Sequence, residues 1–136
     1  MQISEISRSQ RTSGGKILVV DDVADVRLLI RLGISKILPK AQVHESDSGM
    51  MASIALIKNE FDLVISDLEM DSGNGFWLHC VMETQHKETP LVFFTGNPDK
   101  VRRLSHSRRV FSKNNMDGLL KEVARVIEET HPASRD

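Results

Sequence analysis

Four apolar runs in this chain each stop at a residue that can do chemistry. ILVV ends on Asp21 and Asp22, DLVIS on Asp67, LVFF on Thr95 and RVFS on Lys113. Each has an ordinary reading when taken singly. An Asp pair caps a helix, an Asp before a glycine-containing loop is a turn residue, and a lone Thr or Lys is structural or solvated. Their joint occurrence at the ends of separate apolar runs is much harder to dismiss. Clustered carboxylates raise one another's pKa unless a cation sits among them, and oxygen ligands in a small open site suit Mg2+. A carboxylate is also a nucleophile that can become an acyl phosphate. Phosphoryl transfer then asks for little beyond alignment and charge neutralisation, which a metal and a lysine supply. Asp67 is the candidate nucleophile.

These residues need elements to hold them. The segments 16–20, 41–45, 61–66, 90–94 and 109–112 are short and rich in β-branched or aromatic residues, and read as five strands. The first, third and fourth are nearly continuous apolar runs, as in parallel strands covered on both faces. Helical spacing fills the intervals. One stripe runs through Val26, Leu29, Ile30, Gly33, Ile34 and Ile37, and a second through Met51, Ile54 and Ala55. In the last helix Met116, Leu119, Leu120, Val123, Val126 and Ile127 share a face, opposite Lys121, Glu122, Arg125 and Glu128. Asn97-Pro98-Asp99 supplies a helix start. The expected fold is α/β: one doubly wound five-stranded parallel sheet in the flavodoxin-like order 2-1-3-4-5, with helices on both faces. Such a sheet binds ligands outside the carboxyl ends of its strands, between strands one and three. Asp21, Asp22, Asp67, Thr95 and Lys113 fall on that edge.

The whole chain is consistent with this. Its 136 residues suit one domain, which at this size buries roughly 70% of the surface of the unfolded chain. The single cysteine, Cys80, excludes an intramolecular disulfide. No apolar run has the length of a signal-peptide core or a membrane span, so the expected location is the cytoplasm. With 18 basic and 19 acidic residues, bulk attraction to nucleic acid is not expected. Residues 1–13 and 132–136 are polar and read as flexible tails.

In order and spacing, residues 15–131 resemble the receiver domain of two-component response regulators, so the domain is set at 14–131. The likeness rests on ILVVDD at 17–22, DLVISDLEM with Gly75 eight residues after Asp67, FFTG at 93–96, and Lys113. It implies that Asp67 is the phosphoacceptor and that Asp21, Asp22, Asp67 and the backbone carbonyl of Glu69 hold Mg2+, with Asp22 the more direct ligand of the acidic pair. Thr95 matches the hydroxyl that turns toward the phosphoryl group, and Lys113 the lysine that pairs with it. The implied phosphate donor is a sensor histidine kinase or a histidine phosphotransfer protein. The implied output is protein contact by a stand-alone, chemotaxis-regulator-like receiver rather than conventional enzyme turnover.

The chain departs from the family pattern in places. Asp71 stands where Pro is usual and adds charge beside the site. Glu69 and Asp71 are therefore expected to modulate phosphorylation, Glu69 by repelling the phosphodonor and competing for Lys113. Asn114 replaces the proline after the lysine, so that peptide is expected to be trans. Val110 occupies the aromatic position, with Phe111 one place later, and the interval from Thr95 to Lys113 is short, which predicts a short or irregular fourth helix.

Other residues have plainer readings. His79 and His86 lie about 10 Å apart along a helix axis, too far for one small ion. Cys80 and Trp77 read as packing residues, though Trp77 could also belong to a partner surface. Residues 100–113 hold six basic residues and no acidic one. There Arg102, Arg103, Arg108 and Arg109 form a candidate surface for an acidic partner protein, on the helix-four and strand-five face that resembles the family's docking surface. Nucleic acid is the weaker occupant, because the stretch lacks aromatic residues for stacking apart from Phe111, which is expected inside the sheet. Two alternatives stay open: a receiver-like binding module without phosphate turnover, and an aspartate-nucleophile phosphatase pairing Asp67 with Glu69.

Overall fold

The computed structural model describes residues 14–70, 75–104 and 109–132. Apolar β-branched runs form strands β1 (Lys16–Val20), β2 (Gln42–Ser46), β3 (Leu63–Ser66), β4 (Leu91–Thr95) and β5 (Arg109–Ser112). They make one parallel sheet in the order β2-β1-β3-β4-β5. Helices α1 (Ala24–Ile37), α2 (Gly49–Lys58), α3 (Gly75–Gln85), α4 (Pro98–Leu104) and α5 (Met116–Thr130) alternate with the strands. The order and the crossovers are those read from the sequence, with strand limits shifted by a residue or two.

Alternating strand residues feed two cores. Ile17, Val19, Leu63, Ile65, Val92 and Phe94 pack under α1 and α5, against Ile30, Ile34, Leu119 and Val123. Leu18, Val20, Val64, Leu91 and Phe93 pack under α2, α3 and α4, against Ala52, Leu56, Leu78, Met82 and Val101. Both faces of β1, β3 and β4 are therefore dry, which is why these runs carry almost no polar residue. Gly33 lets α1 and α5 close together, since a Cβ there would come within 2.9 Å of the Leu120 side chain.

Three helix stripes differ from expectation. In α1, Ile30 and Ile34 are buried but Leu29 is 58% exposed. In α2 the buried line is Gly49, Ala52 and Leu56, whereas Met51 and Ile54 face out. Nearly every residue of α2 is apolar, so periodicity could not choose its face, and the small Ala52 is what fits against the sheet. In α5, Glu122 is only 6% exposed, although its charge suggested the outer face. It is carried inward by hydrogen bonds from Arg125 Nε and Nη2 at 3.0 and 2.7 Å, with Arg109 Nε at 3.8 Å. Cys80 is exposed rather than packed, and Trp77 is partly so.

The loops that bear on the site fold as their residues dictate. Asn97 Oδ1 accepts from the Lys100 N–H at 3.3 Å, capping the seven-residue α4 that Pro98 opens. Past Lys113, the Lys113–Asn114 peptide is trans, and Ser112 Oγ accepts from the Asn114 N–H at 3.1 Å. Asn115 then caps α5 through the Gly118 N–H at 2.9 Å.

The revised α1 stripe gives a stability prediction. Ile34→Ala should cost about 2–4 kcal/mol in urea unfolding, because it opens a cavity between α1 and the sheet. Leu29→Ala should stay within about 0.5 kcal/mol. Equal losses would restore the stripe read from the sequence.

Candidate functional site

Strand register brings the predicted residues together. Val20 pairs with Ser66, so the next residues along, Asp21 and Asp67, emerge side by side at the carboxyl edge. Thr95 pairs with Ser112, which delivers Lys113 to the same edge from β5. The main chain locks these ends: Asp21 N–H donates to the Ser46 carbonyl at 3.1 Å, Asp67 N–H to Val20 at 3.0 Å and Lys113 N–H to Thr95 at 2.9 Å.

One oxygen from each of Asp21, Asp22 and Asp67 lies within 4.8 Å of the other two. Asp21 and Asp67 are buried, and Asp22 is more open to solvent than either. Three hard oxygen donors this close, with an open side at Asp22, fit a Mg2+ ion that retains several waters. The Lys113 ammonium joins the two buried acids, at 2.9 Å from Asp21 Oδ2 and 3.0 Å from Asp67 Oδ2. Burial pushes the Asp21 carboxyl above its usual range, against the opposing pull of the Val23 N–H and Lys113. Burial also works against the charge on Lys113, but its hydrogen bonds to Asp21 and Asp67 win and hold it above the ordinary lysine value.

Thr95 is buried, and its Oγ1 accepts from the Asn97 N–H at 3.1 Å. A hydroxyl that accepts this way still has its own proton to donate. Gly75 answers why a glycine stands eight residues after Asp67. Its N–H donates to the Leu68 carbonyl at 2.8 Å, and a Cβ there would lie 2.0 Å from the Asp67 carbonyl oxygen. No side chain can stand at the head of α3 while Asp67 stays where it is.

The outer residues are less as expected. Glu69 N–H donates to Asp67 Oδ1 at 3.4 Å, but the Glu69 carboxylate does not compete for Lys113. Its partner is Lys100 of α4, at 3.8 Å. The basic segment likewise finds acids within the chain: Arg102 pairs with Asp99 at 3.0 Å, and Arg109 approaches Glu122 and lies over the Phe111 ring. Arg102 and Arg103 are exposed. Asp71 and Arg108 lie outside the described residues.

A brace that sequence reasoning missed stands behind the acids. Arg27 donates from Nη1 to the Asp21 carbonyl and from Nε to Glu45 at 2.9 Å, while Arg31 donates to the same carboxylate at 2.8 Å. The signal was present, since Arg27 and Arg31 are one helical turn apart and Glu45 closes the neighbouring strand. It becomes legible only once β2 is known to lie beside β1.

Comparison with known proteins agrees with this geometry. A family model described as the response regulator receiver domain matches residues 17–126. The transcriptional regulatory protein ResD of Bacillus subtilis is 29% identical over 94 residues, covering 69% of this chain and 38% of ResD. GlrR of Escherichia coli K12, also a transcriptional regulatory protein, is 30% identical over 125 residues, covering 87% of this chain and 27% of GlrR. The chain thus spans well under half the length of these relatives. Among solved structures, the signal receiver domain of an HD domain-containing protein from Pseudomonas fluorescens Pf-5 superposes with a TM-score of 0.76 at 23% identity, over 93% of this chain and 96% of that one. The chemotaxis response regulator CheY4 of Vibrio cholerae gives 0.69 at 26% identity, over 82% and 98%. A family model that spans most of the sequence, on a fold shared with solved receivers, means that this chain belongs to the response regulator receiver domain family.

Proposed function

We propose that the chain is a phosphoacceptor, a cytoplasmic receiver of residues 14–131 that takes a phosphoryl group from a phosphohistidine onto Asp67 and signals by protein contact. The observation that carries this is the Lys113 ammonium seated between Asp21 and Asp67, with Asp22 completing an acidic cluster at the carboxyl edge. The donor is a sensor histidine kinase or a histidine phosphotransfer protein. Asp21, Asp22, Asp67 and the Glu69 carbonyl would hold Mg2+, which when bound neutralises the carboxylates and the incoming phosphoryl oxygens.

The chain's own groups do the rest. A carboxylate oxygen of Asp67 attacks phosphorus in line with the histidine nitrogen. The P–N bond breaks, its electron pair returns to the imidazole, which takes up a proton, and an acyl phosphate remains on Asp67. Lys113, released from Asp67 Oδ2 as that carboxylate is esterified, pairs with a phosphoryl oxygen. Thr95 donates its hydroxyl proton to another. Nothing here requires turnover of a second substrate, so the chain acts as a switch and not as a conventional enzyme. Output runs through the face made by α4 and β5, where Arg102, Arg103, Arg108 and Arg109 meet an acidic partner.

With Mg2+ and acetyl phosphate, intact mass should rise by one phosphoryl group, and Asp67→Asn should abolish the gain. A parent that never gains mass marks a binding module instead, and sustained release of inorganic phosphate marks a phosphatase. Arg102→Ala combined with Arg103→Ala should weaken binding of a labelled acidic peptide at least tenfold in fluorescence anisotropy while leaving Asp67 labelling unchanged; full retention of binding would move the output surface elsewhere.

The Glu69–Lys100 pair yields a kinetic prediction. Lys100 offsets a negative charge at the mouth of the site, and exposed pairs of this kind are worth about 0.2–1 kcal/mol. Lys100→Ala should therefore slow phosphorylation by acetyl phosphate, by up to about fivefold. Glu69→Asn should speed it and, added to Lys100→Ala, should return the rate to the parent value or above. A slow double variant would show that Lys100 acts by some route other than Glu69.

A further inference from the structure

Helix α2 is apolar on the side that meets the sheet and also on the side that does not. Ala52 and Leu56 are buried, while Met50, Ile54 and Ile57 are 62%, 38% and 75% exposed. Their spacing of four and three residues sets them in one outward line along the helix. Met51, half exposed, widens it toward β2, where it lines a shallow cavity of about 260 Å3 with Arg27, Glu45, Ser46 and Asp47. Apolar residues scattered singly over a surface need no explanation, but a continuous line of them does. None of these residues belongs to the acidic site or to the basic face of α4 and β5.

We infer that this outward face of α2 pairs with the same face of a second copy of this chain, the two helices running antiparallel about a two-fold axis near Ile54. A two-fold contact needs a self-complementary surface, and α2 meets that need in two ways. With the axis between Ser53 and Ile54, Met50 of one copy lies level with Ile57 of the other, and the two Ile54 residues lie about 1.5 Å apart along the axis. Its charges also match. Lys58, exposed at one end, comes level with Gly49 of the second copy, two residues from exposed Asp47, which precedes the Ser48 cap. The next charge, Glu60, lies past the helix cap at Asn59 and turns toward the end of α3, where it lines a depression with His86 and Thr89.

The competing surface is helix α1, which exposes Leu28, Leu29 and Leu32 between exposed Asp25 and Lys36, and the Leu32→Glu variant below separates the two faces. Four side chains on a ten-residue helix fall at the low end of interface sizes, below about 1,200 Å2 in all, which points to a reversible dimer with a dissociation constant on the order of 10 µM.

Sedimentation equilibrium of the full chain across a concentration series tests this. The parent should approach twice the monomer mass, and Ile54→Glu or Ile57→Glu should leave only monomer while keeping the parent's far-UV circular dichroism and Asp67 labelling. Leu32→Glu on α1 should dimerise like the parent. Lys58→Glu and Asp47→Lys should each weaken the dimer several-fold, and together they should restore it, a rescue that only antiparallel pairing allows. On a Cys80→Ser background, Ile54→Cys should form a covalent dimer under mild oxidation. A parent that stays monomeric at several hundred micromolar, a dimer that survives Ile54→Glu or dissolves with Leu32→Glu, or a charge swap without rescue each overturns the pairing.

Discussion

Two buried carboxylates cannot stand side by side without a cation, and in this chain Lys113 supplies one. Its ammonium bridges Asp21 and Asp67, which come from the first and third strands, while Lys113 itself comes from the end of the fifth. Breaking such a buried contact by removing one partner leaves an uncompensated charge, which typically costs several kcal/mol. The sheet order is therefore tied to the charge balance: β3 must lie beside β1, and β5 must end at the same level. The same arrangement leaves the acids ready for exchange. Under the proposed function, a divalent cation and a phosphoryl group would take over the neutralisation, and the lysine would then pair with a phosphoryl oxygen.

The opposite edge of the sheet is tied in a different way. Asp62, just before β3, accepts from the Lys16 N–H at 2.8 Å and lies 3.1 Å from His131 Nε2, so one buried carboxylate joins the starts of two central strands to the end of α5. Lys16 Nζ adds a bond to Asn59 at the end of α2. These contacts close the amino edge, where neither metal nor phosphate is needed. At the carboxyl edge, the brace from Arg27 to Asp21 and Glu45 holds the start of the acidic cluster in place.

Much of this was legible in the sequence because parallel strands and their end residues are local signals. An apolar run followed by Asp says strand and site edge at once, and the pairing of Val20 with Ser66 turns two such signals into one cluster. What could not be read was anything that depends on which neighbour a side chain meets. Periodicity misjudged α2, where Met51, Ala52, Ile54 and Ala55 look equally suitable for burial and volume decides. It placed Glu122 outside, because the arginines that carry it inward come from β5 and from its own helix. Position alone, two residues after Asp67, assigned Glu69 to Lys113, whereas its partner is Lys100, which depends on where the short α4 lies.

The departure at Val110 has a structural consequence that joins these observations. Val110 packs with the core beneath α2, α3 and α4, whereas the ring of Phe111 turns to the opposite face of the sheet, under α5 and below Arg109. No aromatic side chain from this strand position can therefore follow Thr95 into the space beside α4. Thr95 is instead coupled through its own hydroxyl, which accepts from the Asn97 N–H while Asn97 caps α4 at Lys100. In the proposed phosphorylated state, with Thr95 turned toward a phosphoryl oxygen, the Asn97 N–H would lose its acceptor at the residue whose side chain starts the helix. Lys100, in the first turn of that helix, is also the partner of Glu69. The site thus meets α4 from two sides, through Thr95 at the helix cap and through Glu69, two residues beyond Asp67. With Val110 on the α2, α3 and α4 side of β5 in place of a ring, these two contacts tie the site to this seven-residue helix.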